Sequence, residues 1–217
     1  MVSTLKQLAA LATERGLEFV LIGGNAVILS GFARSTVDID LMICTTMRSK
    51  WLDVVREMNY RLFNGNNVFS QFEPIEKGGP AIDLMYVDPK TWETIRLKAV
   101  QKQLETFSIL VPAPEHIVAL KLHAAKSPTR SKPETDWEDI RQILEVHALD
   151  ISDENFRALI LKHGGEKSLQ SLRSGVVSSM RWSSSHWFAI TFCTMTPPRV
   201  VSNRRIPRNS FYKNRGS

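Results

Sequence analysis

The sequence predicts an α/β fold of the mixed α+β kind, followed by a small helical region and an irregular C-terminal tail. Three observations carry that prediction. Between residues 19 and 43 a continuous apolar run, a double glycine and an alternating apolar/acidic run follow one another, the pattern of strand, short helix and strand. From Pro114 the apolar residues change to spacings of three and four, the helical period. Over residues 167–217 neither period is sustained and acidic residues are absent.

The elements follow in order. Thr4-Leu5-Lys6-Gln7 reads as a capping box, and Leu5, Leu8, Ala9, Leu11 and Ala12 form one apolar helix face that ends near Gly16. A strand over 18–23, a helix over 25–31 and a strand over 37–43 make the next unit. A helix over about 47–58 carries Trp51, Leu52, Val55 and Met58 on one side. Short strands at Tyr60–Phe63 and Val68–Phe72 flank Asn64-Gly65-Asn66-Asn67, a hairpin turn. A strand over 81–87 ends at Asp88, read as a turn residue before Pro89, and Phe107–Val111 reads as one more strand. Pro114 suits a first helical position, with Ile117, Leu120, Lys121 and Ala124 on neighbouring turns. Two further helices are expected over 135–147 and from Ser152 to Gly164.

The chemistry is concentrated in the second unit. In Val37-Asp38-Ile39-Asp40-Leu41 a strand puts Asp38 and Asp40 on one face, about 7 Å apart along the chain, and the apolar residues on the other. Two like charges held over a common volume repel unless cations fill the space, so the pair reads as a divalent-metal site. Arg34 and Thr36 share the same parity. Gly23 and Gly24 leave no side chain to block a ligand, and a helix starting at Asn25 offers unpaired N–H groups beside them. A phosphate on backbone amides facing a metal on two aspartates is the apparatus of phosphoryl or nucleotidyl transfer.

Charge is distributed unevenly. The chain of 217 residues has a net charge of +6, from 28 Lys and Arg against 22 Asp and Glu. Residues 167–217 hold nine of the basic residues, so the remainder is net −3 and presents no broad basic face. The tail reads either as a basic arm that binds RNA or as a stretch of low structural content, including the product of a frame change after about residue 170. Lys121, His123, Lys126, Arg130 and Lys132 form an acid-free run. It reads either as a solvated face or as cations reaching a nucleotide triphosphate. Cys44 and Cys193 make neither a disulfide framework nor a ligand spacing, and His116, His123, His147 and His163 show none for zinc. No window approaches the ~20 apolar residues of a membrane span and no signal peptide is evident, so a cytoplasmic location without membrane association is expected.

Ile22-Gly23-Gly24-Asn25-Ala26-Val27, Gly31, Arg34, Thr36 and Asp38-Ile39-Asp40-Leu41 resemble the signature of the polymerase-β-like nucleotidyltransferase superfamily. Within it the chain is similar to small prokaryotic nucleotidyltransferases of the AbiEii type, several of which are toxins of toxin–antitoxin pairs. The resemblance covers about residues 1–165 and implies a mixed sheet, Mg²⁺ or Mn²⁺, and transfer of a nucleoside monophosphate from an NTP with release of pyrophosphate. It also implies a third metal-binding carboxylate on a later strand. Asp83, the single acid within Ala81–Val87, is assigned to that role because an isolated carboxylate there is costly without a cation. Ala119-Leu120-Lys121-Leu122-His123-Ala124 and Asp136-Trp137-Glu138-Asp139-Ile140 match two later motifs of the family, although Ser127–Pro133 interrupts the helical pattern between them.

These readings make Asp38, Asp40, Asp83 and Lys121 the catalytic candidates, with the three aspartates as metal ligands. Gly23, Gly24, Asn25, Arg34, Thr36 and Lys121 are the nucleotide-binding candidates. The division expected is a nucleotidyltransferase core over 1–112, a helical region over 113–165 that completes the site, and a basic low-structure tail over 166–217. RNA, tRNA or protein is the expected acceptor, and a cognate antitoxin the partner implied by the resemblance. One alternative is a nucleotidyltransferase acting on a small molecule such as an antibiotic. The other is a non-catalytic nucleotide-binding regulatory protein, against which the three mutually repelling aspartates count.

Overall fold

A computed structural model describes residues 1–183 except Lys77 and 129–131, with side chains described as far as Gly175. Arg130, Cys193 and the tail after Ser183 lie outside the described residues. The elements are α1 (Val2–Glu14), β1 (Val20–Leu21), α2 (Gly23–Leu29), β2 (Ile39–Cys44), α3 (Arg48–Glu57), β3 (Tyr60–Gly65), β4 (Phe69–Pro74), β5 (Ile82–Val87), α4 (Pro89–Lys98), β6 (Val100–Leu104), β7 (Phe107–Val111), α5 (Pro114–Ala125), α6 (Pro133–Val146), α7 (Glu154–Gly164) and α8 (Glu166–Ser183).

Five strands form one mixed sheet in the order β1-β2-β5-β4-β3, with β2 and β5 parallel and the other pairs antiparallel. Strand alternation divides its residues between two cores. Ile39, Leu41 and Ile43 of β2 and Ile82, Leu84 and Tyr86 of β5 join the large core, which also takes Leu5 and Leu8 of α1, Trp51 and Val55 of α3, and Ile117, Val118 and Leu122 of α5. Met42 and Cys44 face the other way, into a small cluster with Val20, Ile22, Trp92 and Ile95. Asp40 and Asp83 share the parity of this thinner side, so the sheet exposes its acids where it has least apolar cover.

Several boundaries differ from those expected. Helix α1 begins at Val2 without a side-chain cap, so Thr4–Gln7 lies inside it instead of capping it. The Ala26 N–H donates to the Ile22 carbonyl, so α2 opens at Gly23 and takes both glycines into its first turn. Strand β2 starts at Ile39, and Asp38 precedes it in an irregular segment. Asp88 is an N-cap, its carboxylate accepting from the N–H groups of Lys90 and Thr91, and α4 follows where only a turn was read. Helix α4 leads into β6, which pairs with β7 as a separate hairpin. In the β3–β4 turn, Asn66 Oδ1 accepts from the N–H groups of Val68 and Phe69. No helix of the described residues is long and apolar enough to cross a membrane.

The largest departure is at the C-terminal side. Low structural content was expected from residue 166, whereas α8 runs Glu166–Ser183 and Met1–Ser178 cluster as one compact unit. Leu169 and Leu172 are 1% and 3% exposed and belong to the large core. Ser168 Oγ donates to the Gly164 carbonyl at 2.9 Å across the junction with α7. Two leucines three residues apart are too short a run to register as a period, yet one helical turn suffices to seat both.

Burial of each leucine is worth about 1.5–3 kcal/mol. A chain ending at Lys167 is therefore expected to unfold at a clearly lower temperature than full-length protein. Leu169→Ala is expected to cost about 2–5 kcal/mol. Thermal unfolding checks the first and urea unfolding the second, and unchanged midpoints would place α8 outside the core.

Candidate active site

The start of α2 and the segment leading into β2 are joined residue by residue. Gly23 has φ of 64°, a conformation that favours glycine, and a Cβ there would lie 2.0 Å from Asp40 Oδ2 and 2.8 Å from Asp40 Cβ. A Cβ on Gly24 would lie 2.6 Å from both Arg34 Nη2 and Thr36 Oγ1. Asn25 Nδ2 donates to the Asp38 carbonyl at 2.7 Å. The double glycine is thus a contact requirement: without side chains, the helix start can lie against Arg34, Thr36 and Asp40. The Ile22 N–H completes the seam by donating to the Asp40 carbonyl at 2.9 Å.

The parallel pairing of β2 with β5 puts Asp40 directly beside Asp83. Gln71 of β4 donates through Nε2 to Asp83 Oδ2 at 2.9 Å. Burial pushes the Asp83 carboxyl above the usual carboxylate range, the Gln71 hydrogen bond pulls it down, and the charge of Asp38 pushes it up again. Asp38 therefore acts on Asp83 electrostatically although it lies outside the strand pairing. Among the described residues no three His, Cys, Asp or Glu side chains are gathered closely enough to hold a metal ion as they stand. The donors still suit a hard divalent cation in kind. They are carboxylate oxygens only, with two of the three in register.

Lys121 stands differently from its expected role. It is buried on α5, lines a small crevice with Ile22, Gly23 and Ala26, and makes ion pairs of 2.9 Å to Asp136 and 2.7 Å to Asp139 of α6. Asp139 also approaches Arg34 Nε at 3.4 Å. The i, i+3 spacing of the two aspartates points both at Lys121. Two cations and two carboxylates thus neutralise one another, and the lysine expected to reach phosphate is already held by α6. Lys126 is exposed at the end of α5. His147 Nε2 lies 2.9 Å from the Ser30 carbonyl, and the rings of His123 and His163 meet edge to face at 6.4 Å between centroids. Gln71 escaped the sequence reading because only strand register, which depends on a distant turn, reveals its neighbour.

Residues 1–163 match the family described as "Nucleotidyltransferase of unknown function (DUF6036)". Comparison with curated proteins returns no match. Among solved structures, ANT(2'')-Ia in complex with adenylyl-2''-tobramycin is similar with a TM-score of 0.56 and 18% identity, over 81% of this chain and 98% of that one. An antigenic nucleotidyltransferase-like protein from Paracoccidioides brasiliensis gives 0.51 and 18%, over 82% and 87%. The lincosamide antibiotic adenylyltransferase LnuA, lincomycin-bound, gives 0.51 and 16%, over 67% and 98%. At these identities the likeness is one of fold.

The raised Asp83 carboxyl has a signed consequence for stability. A group whose native-state pKa lies above its unfolded value stabilises the fold below the unfolded pKa and loses that contribution as pH rises through the native one. Ionised Asp83 therefore costs the metal-free protein stability at pH 7. Asp83→Asn keeps an acceptor for Gln71 and is expected to raise the thermal midpoint measured in EDTA at pH 7, by a margin that shrinks toward pH 4. A lower midpoint for the variant at pH 7 would contradict this.

Proposed function

The chain belongs to the DUF6036 nucleotidyltransferases, and from that premise we propose that it transfers a nucleoside monophosphate from an NTP to an acceptor hydroxyl. The acceptor oxygen forms a bond to the α-phosphorus as the bond to the β-phosphate breaks. Pyrophosphate leaves with the electron pair, and the hydroxyl proton passes to a nearby base or to solvent. The observation that carries this reading is the Asp40–Asp83 register beside the side-chain-free start of α2. Asp38, Asp40 and Asp83 would hold Mg²⁺ or Mn²⁺, which would supply charge neutralisation at the attacking and leaving oxygens. Gly23 and Gly24 leave the approach to Asp40 open for the triphosphate, with Arg34 and Thr36 beside Gly24 and Asn25 tying the helix to Asp38. Lys121, with Asp136 and Asp139, anchors the helical region to the crevice at Gly23.

In this reading residues 1–112 carry the nucleotide-handling sheet and 113–165 the helices that complete the site. The AbiEii-like motifs support RNA, tRNA or protein as acceptor and a role as the toxin of a toxin–antitoxin pair. A small-molecule acceptor is the second reading. It is favoured by the fold shared with ANT(2'')-Ia, whose complex contains an adenylylated antibiotic, and with lincomycin-bound LnuA.

Asp40→Asn keeps the side-chain size and removes one charge. Activity is expected to fall on the order of 10³-fold, while Ile39→Val, on the opposite face of the strand, leaves it nearly unchanged. The assay incubates full-length protein with each labelled NTP, Mg²⁺ and total cellular RNA and asks which molecule acquires label. Undiminished transfer by Asp40→Asn would sink the assignment.

The acceptor class is separated by salt. With an RNA acceptor, replacing Lys126 and Lys132 by Gln is expected to raise the acceptor KM and flatten its dependence on ionic strength. A small-molecule acceptor predicts no change in either quantity.

A further inference from the structure

Four polar residues lie side by side across the sheet: Asn64 of β3, Gln71 of β4, Asp83 of β5 and Asp40 of β2, each paired in register with the next. Asn64 Nδ2 donates to Gln71 Oε1 at 2.8 Å, and Gln71 Nε2 donates to Asp83 Oδ2 at 2.9 Å. We propose that Gln71 is a positioning residue for Asp83, orienting its carboxylate for a divalent cation, and that Asn64 sets the orientation of Gln71. The proposal rests on the reading of Asp83 as a cation ligand.

The bonds have a forced direction. Ionised Asp83 can only accept, so Gln71 must present its NH₂ end to Asp83 and its oxygen to β3. A glutamine amide can flip between two nearly isosteric orientations, and the flipped one would press Oε1 against the Asp83 oxygen. Asn64 biases Gln71 against that flip by donating to Oε1. Gln71 then occupies Asp83 Oδ2 and leaves Oδ1 for the cation, the arrangement by which a group behind a metal ligand fixes the ligand's orientation.

The backbone is built for the contact. Leu62 pairs with Phe72 and Asn64 with Gln71, so two steps along β3 are matched by one step along β4. Without that register shift Asn64 would pair with Ser70, which is buried on the opposite parity of β4. A bulge of this kind re-aims one side chain at the expense of a ladder position, and such bulges gather beside active sites. Here it brings Asn64 into line with Gln71 and the two aspartates.

The test reads cation binding directly, with Mn²⁺ followed by EPR on the full-length protein, alongside kcat and KM for the NTP. Gln71→Met keeps the side-chain volume and removes the donor. Its Mn²⁺ dissociation constant is expected to rise roughly tenfold, with kcat falling and the NTP KM little changed. Asn64→Leu, at an exposed position where folding is not at risk, is expected to weaken Mn²⁺ roughly threefold. The double variant is expected to bind no more weakly than Gln71→Met alone, because Asn64 acts through Gln71. Unaltered Mn²⁺ affinity in both single variants, with Asp83→Asn impaired, would overturn the positioning role and leave the Asp83 assignment standing. Unaltered affinity in Asp83→Asn would overturn the ligand assignment and the inference with it. Additive losses in the double variant would overturn the relay from Asn64.

Discussion

The parallel pairing of β2 with β5 is the constraint on which the rest of the site depends. It places Asp40 and Asp83 next to each other, and strand pairing and the apolar residues beneath enforce that arrangement. Ile39, Leu41, Ile82 and Leu84 are fully buried on the core side, and shifting either strand by one residue would drive the carboxylates into that core. Hydrophobic burial on one face of the sheet therefore fixes where the carboxylates stand on the other. The Asp83 carboxyl is itself pushed up, chiefly by its own burial and less by the charge of Asp38.

Around this pair the fold uses close approach instead of added contacts. The start of α2 comes within a side chain's reach of Asp40, Arg34 and Thr36 only because Gly23 and Gly24 have none. On the far side of Arg34, the helices are tied in by a neutral group of four charges: Arg34, Lys121, Asp136 and Asp139. Buried ion pairs of this kind add little net stability, but removing one partner strands the others in a low-dielectric interior. Their contribution is geometric: they fix where α5 and α6 stand relative to the loop that carries Arg34. Lys121 is consequently a structural tie in this state, whereas the sequence presents it as a free cation in a basic run.

Much of the site is local in the chain and was legible for that reason. Strand parity ordered Ile39, Asp40 and Leu41, and the proximity of Gly23-Gly24 to Asp40 follows from the short connection, residues 30–38, between two elements that pack together. Asp83 could be singled out because it is the one acid in an apolar strand. The bounds of α2 and β2 shifted by one or two residues, since a helix begins where its first backbone bond closes and a strand where its neighbour begins. Asp88 was read as a turn residue because an acid before proline suits both a turn and an N-cap, and only the helix after it decides between them.

By itself the amino-acid sequence determined the class of fold, the parity of Asp40, a stretch free of side chains at residues 23 and 24, and the apolar faces of α1, α3, α5, α6 and α7. All of these follow from spacings within about one element. Tertiary structure alone decided that Asp40 stands beside Asp83, that Gln71 and Asn64 line up behind them, that Asp136 and Asp139 hold Lys121, and that Leu169 and Leu172 complete the core. Each of these joins residues on different elements. Their meeting depends on strand order, a register shift in a hairpin and the docking of one helix on others, none of which leaves a periodic trace along the chain.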